Sequence, residues 1–91
     1  MADDLDGYRA EIDNLDHQIL DLLHKRMIVS RKIFVYKKER GIARKTPLRE
    51  EEIHRRNAEL AARLGLEESF VRKLFEFIIE SGIEADNRHK E

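Results

Sequence analysis

The 91-residue chain contains no cysteine, so no disulfide braces it and nothing points to an oxidising compartment. It has no tryptophan, and four phenylalanines and two tyrosines leave few platforms for stacking single-stranded bases. No apolar run approaches ~18 residues, and the start is acidic with no apolar segment behind it. Neither a membrane span nor a signal peptide is therefore expected, and the expected location is cytoplasmic. An excess of charge of one sign is missing too: 41% of the residues are charged, yet the net charge is −1. Such an interleaved surface lacks the basic field of a general nucleic-acid binder. Repeats, low-complexity tracts and strand-like alternation are absent. The one proline is Pro47, and the stretch from Asp4 to Arg40 has a single glycine, Gly7.

That stretch organises the rest. Ile12, Leu15, Ile19, Leu22, Leu23, Met27, Ile33 and Phe34 recur in steps that make one apolar stripe of an amphipathic helix. Asp3, Asp4 and Asp6 suit its N-terminal cap and the positive end of its dipole. Lys37, Lys38 and Arg40 suit its last turn, and Gly41 follows where a C′ glycine belongs. A helix over 4–40 is a rod of roughly 55 Å, whereas a compact globule of this length has a radius of gyration of only about 12 Å. Two shorter helices cannot cover such a rod. Its stripe asks for a partner chain, and a two-fold dimer is the commonest arrangement.

Thr46-Pro47 opens a second helix over 47–64, with threonine as N-cap and proline at the first helical position. Glu50, Glu51 and Glu52 crowd its first turn; Ile53, Leu60 and Leu64 form a modest stripe; Gly65 ends it. A third helix over 67–86 is the most apolar segment, with Phe70, Val71, Leu74, Phe75, Phe77, Ile78 and Ile79, and is the expected centre of packing. Gly82 marks fraying or a need for little bulk, and 87–91 read as a polar, disordered tail. The expectation is one all-α domain over 1–91: one long helix and two shorter ones.

No convincing metal set is present. His17 and His24 share a helix face but lie about 10 Å apart along the axis, too far to hold one zinc alone. No serine sits in a nucleophile motif, and no glycine-rich phosphate loop occurs. The cations are more informative. Arg26, Ser30, Ile33 and Lys37 line one face of the long helix. Arg9 precedes Arg26 by 17 residues, about 25 Å along the rod, and points to a different side. One small ligand cannot touch Arg9 and Lys37 of the same chain. In an antiparallel dimer, Arg9 of one chain can approach Arg26 and Lys37 of the other and enclose a small anion. By spacing alone the pattern is weak, because charges on helices are usually solvated.

The run Arg9-x-x-Ile12-x-x-Leu15-Asp16-x-x-Ile19-x-x-Leu22-Leu23-x-x-Arg26 resembles the first helix of the all-helical chorismate mutases. The likeness continues through Ile33-x-x-x-Lys37, Pro47-Leu48-Arg49-Glu50 and Phe75-x-x-Ile78-Ile79-Glu80, in order and over nearly the whole chain. The resemblance implies an intertwined homodimer of three-helix chains with active sites shared between chains. It implies the pericyclic rearrangement of chorismate to prephenate in aromatic amino-acid biosynthesis, with no cofactor, metal or covalent intermediate. Arg26 and the partner's Arg9 would hold the two carboxylates, for which bidentate arginine pairing is suited. Lys37 would donate to a carboxylate and to the ether oxygen, Glu50 would accept from the substrate hydroxyl, and Arg49 would support the site.

Ile33 belongs to the same expected binding set, as do three departures from the family pattern. Thr46 stands where many members have aspartate, Gly82 where they have serine, and Asp86 where bacterial members often have glutamine. An ionised aspartate cannot donate to the ether oxygen, so Asp86 would serve there only when protonated. These substitutions leave the substrate open between chorismate, 4-amino-4-deoxychorismate and isochorismate, the last cleaved by a lyase of the same fold. A non-catalytic regulatory or interaction dimer is the alternative of another class. Arg9, Arg26, Lys37, Arg49 and Glu50 speak against it, because a helical scaffold has no need of that set.

Overall fold

The computed structural model describes residues 2–88, with side chains from Asp4 onward. Three helices and no strand make up the described residues: α1 (Ala2–Glu39), α2 (Pro47–Leu64) and α3 (Glu68–Arg88). The chain divides into two compact units, Met1–Lys32 and Ile33–Glu91.

The first unit is the N-terminal part of α1. The helix already includes Asp4 and Asp6, so these acids meet the helix dipole from inside rather than as caps. The Asp3 side chain lies outside the described residues. Leu5, Tyr8, Ile12, Leu15, Ile19 and Leu22 all stay exposed, and their spacing alternates between three and four. That is a 3.5-residue period, the period of a seam made for a second helix. Leu23, Arg26, Ser30 and Arg31 are half-buried.

The second unit begins with the last turns of α1. Gly41 adopts a left-handed φ of 67°. Its N–H donates to the Lys38 carbonyl at 3.4 Å, and the Ile42 N–H donates to the Lys37 carbonyl at 2.9 Å. This pair is a Schellman ending and it turns the chain back. Gly65 ends α2 likewise at φ 74°, with Gly65 N–H to Ala62 and Leu66 N–H to Ala61. At the start of α2, Pro47 takes the first position and the Thr46 carbonyl accepts from Arg49 and Glu50 N–H. The Thr46 hydroxyl makes no capping bond, and only Glu50 of the three glutamates lies in the first turn.

α2 and α3 pack on one another. The covered face of α2 keeps only Ile53 of the expected stripe: Leu60 and Leu64 are exposed, while His54 and Ala61 are buried with Ile53. Asn57 and Ala58 lie half-buried beside them, completing a helical spacing that small and polar residues conceal from a hydropathy reading. On α3, Val71 is buried and Phe75, Ile78 and Ile79 are half-buried, but Phe70, Leu74 and Phe77 remain exposed. α3 thus packs by one face rather than serving as the centre of the unit. It also runs through Gly82 to Arg88, so Asn87 and Arg88 of the expected tail are helical. Residues 89–91 lie outside the described residues.

Candidate active site

Arg44, in the connection 40–46, links Asp86 near the C-terminal end of α3 to Phe34 and Lys37 near the C-terminal end of α1. Asp86 is the most buried charged residue described, 4% exposed. Arg44 faces it: Nε donates to Oδ2 at 2.9 Å and Nη2 lies 2.6 Å from the same oxygen. The Arg44 side chain keeps 28% of its surface exposed, so one edge meets the acid and another meets solvent. Its guanidinium lies 5.8 Å from the centroid of the buried Phe34 ring, within cation–π range. Lys37, half-buried, donates from Nζ to the Arg44 carbonyl at 3.3 Å. The Gly41 reversal makes this possible: it brings the connection back over the turn that carries Phe34 and Lys37. Arg44 therefore meets the buried carboxylate while Lys37 holds the Arg44 backbone, and Lys38 approaches the Phe34 ring at 5.9 Å.

Other expected site residues are placed as follows. Thr46, Glu50 and Gly82 are half-buried. Glu50 lines a groove of about 320 Å³ between α2 and α3, along with Glu51, His54, Arg72, Glu76 and Glu80. Four carboxylates against two cations, Lys45 and Arg72, make that groove a poor receptor for a dianion. Lys37 and Asp86 do not line it. Arg49 is exposed and pairs with Glu52 at i,i+3 on the surface of α2. Ile33 is 47% exposed. On the first unit, Arg26 is half-buried and engaged, whereas Arg9 is exposed. No cluster of three potential metal ligands occurs among the described residues, and none of their helices is long and apolar enough to cross a membrane.

Arg44 is the residue that sequence reasoning missed. It stands in a short connection with no periodicity to mark it, and its partner is 42 residues away. Proximity over that separation is a property of the fold alone.

Residues 8–86 match the family described as chorismate mutase type II. The chain belongs to that family. Two curated relatives are mutases by name, and the chain is accordingly an isomerase by family. It is 37% identical over 76 residues to a 4-amino-4-deoxychorismate mutase of Streptomyces venezuelae, covering 84% of this chain and 74% of the relative. It is 32% identical over 78 residues to a 4-amino-4-deoxychorismate mutase of Streptomyces pristinaespiralis, covering 86% of this chain and 60% of the relative. No solved structure matches significantly.

Proposed function

We propose that the protein catalyses the pericyclic rearrangement of chorismate to prephenate as a homodimer with shared active sites. The observation that carries this reading is the family match over 8–86, a span that includes Arg9, Arg26, Lys37, Arg49, Glu50 and Asp86. The reaction breaks an ether C–O bond and forms a C–C bond within one molecule. The protein's task is to hold the compact conformer and meet charge developing on the ether oxygen. Lys37 is suited to that oxygen: its ammonium sits on the half-buried end of α1 and spends one N–H on the Arg44 carbonyl. Arg26 and the partner subunit's Arg9 take the carboxylates, and Glu50 accepts from the ring substituent. Ile33, Thr46 and Gly82 line the bound ring. Arg49 contributes only if its exposed pair with Glu52 opens, which costs little because exposed pairs are worth ~0–1 kcal/mol.

The exposed seam Leu5–Leu22 supports the dimer, since a monomer rarely leaves so long an apolar stripe in water. A second reading is favoured by the names of the relatives: the substrate is 4-amino-4-deoxychorismate, whose amine would pair with the Glu50 carboxylate as a hydroxyl would. Chorismate, 4-amino-4-deoxychorismate and isochorismate, each incubated with the purified protein and followed by chromatography, decide between the readings. Prephenate formed fastest is the expected result. Preference for the amino compound selects the second reading, release of pyruvate from isochorismate selects a lyase, and three inert substrates overturn the proposal.

A further inference from the structure

We propose that Arg44 is a substrate-binding residue of this site, and that Asp86 acts through it as a positioning residue rather than meeting the substrate itself. The proposal rests on the dicarboxylate substrate class put forward above.

The geometry supports it in three steps. Asp86 is buried, and its Oδ2 is taken by the Nε and Nη2 edge of Arg44. An acid so engaged offers no donor to a ligand anion. Arg44, by contrast, carries five N–H groups in a planar fork, and only that edge is spent. Its Nη1 makes no hydrogen bond among the described residues, and more than a quarter of its side chain is exposed. The guanidinium also lies 5.8 Å from the Phe34 ring centroid, and Lys37 holds the backbone carbonyl of the residue from which the Arg44 side chain extends. Lys37 Nζ retains two further N–H groups of its own.

Arg44 and Lys37 are both cations, linked through the Arg44 carbonyl, and only the Nε and Nη2 edge of Arg44 is given to the carboxylate. The unspent donors, Arg44 Nη1 and Lys37 Nζ, belong to residues already oriented before any ligand arrives. A carboxylate of the substrate can dock there without ordering a long flexible side chain, and pre-ordering is what makes such a contact tight. Asp86 thereby gains a function that needs no proton: it aims a permanent cation.

The test uses the full-length protein, an oxabicyclic dicarboxylate analogue of the transition state, and steady-state kinetics with chorismate and 4-amino-4-deoxychorismate. Arg44→Lys keeps a cation against buried Asp86, so the fold is retained, but a point charge cannot serve the acid and a ligand carboxylate together. Its affinity for the analogue is expected to fall at least tenfold, with helical content and elution volume unchanged. Asp86→Asn is expected to weaken binding in the wild-type background and to add nothing on top of Arg44→Lys, because it acts through that side chain.

Wild-type affinity in a folded Arg44→Lys variant overturns the assignment of Arg44. An undiminished Asp86→Asn effect in the Arg44→Lys background overturns the positioning role. The underlying reading is separable: if the wild type turns over neither substrate yet binds the analogue in an Arg44-dependent way, the proposed reaction fails and this assignment stands. If turnover is normal and Arg44→Lys is silent, the reverse holds. A wild type that neither binds nor turns over overturns both.

Discussion

At the scale of single residues, the Arg44–Asp86 pair and Lys37 carry the most consequence. Asp86 is almost wholly withdrawn from water, so removing its charge leaves a partly buried guanidinium with nothing opposite. Loss of one partner of a fully buried pair costs about 3–5 kcal/mol, and the exposed edge of Arg44 lowers the expected destabilisation to about 1–3 kcal/mol for Asp86→Ala. Urea unfolding checks it: an unmoved midpoint would mean that solvent already compensates the pair. In the proposed reaction Lys37→Ala removes the donor to the developing charge, and such a loss typically costs about 10²–10³ in kcat. Under the proposed function, steady-state kinetics of Lys37→Ala should show that fall with far-UV dichroism unchanged. A rate within a few-fold of wild type would take Lys37 away from the reacting atoms. Lys37 was legible beforehand from its place on one helix face with Arg26. The Asp86 partnership was not, because nothing local in Arg44 or Asp86 announces the other.

At the scale of the elements, two glycine reversals determine where the helices stop and hence what meets at the site. Gly41 and Gly65 both have left-handed φ, and a Cβ added at either would meet no atom within 4 Å. The penalty for alanine is therefore conformational and not steric crowding, about 1 kcal/mol at each position. Gly65→Ala should lower the unfolding midpoint and leave catalysis alone, since it closes only the α2–α3 turn. Gly41→Ala should lower the midpoint similarly and also weaken the site, because the turn it makes delivers Arg44 to Asp86 and Lys37. Equal activity in the two variants would show that the connection reaches Asp86 without help from that turn. Both helix endings were readable from Gly41 and Gly65 in sequence, since only glycine enters that region cheaply. The packed face of α2 was not, because His54, Asn57, Ala58 and Ala61 do not read as an apolar stripe.

At the scale of the whole molecule, the exposed seam of α1 sets the expectation of a dimer. Light scattering at micromolar concentration should give twice the chain mass of 10.8 kDa. Leu15→Glu, in the middle of the seam and 52% exposed in the single chain, should shift the protein toward monomer and lower its stability. A folded wild-type monomer would remove the reason for the seam and the shared site with it. Arg9 and Arg26 lie on one helix about 25 Å apart, so one ligand touches both only if a second chain supplies one of them. Arg9→Ala and Arg26→Ala should each be nearly inactive, and mixing them with subunit exchange should restore about a quarter of full activity, because half the dimers then hold one intact site. Absence of recovery with exchange verified by mass would mean that Arg9 is structural or that the two arginines serve the same chain's site, and would overturn the shared site.

What the sequence determined by itself is what depends on neighbours along the chain. The periodicity of α1, the Thr46-Pro47 start of α2, the glycine stops and the ordered family motifs follow from spacing and backbone preference, and they establish three helices and the family. The tertiary structure decided which faces close and which charges meet. Leu60 and Leu64 lost to alanines and a histidine on α2 because a helix face is covered by whatever packs against it, not by its own hydropathy. Arg44 found Asp86 across 42 residues because the Gly41 turn and the end of α3 bring them within 3 Å, and a contact of that range exists only once the chain has folded.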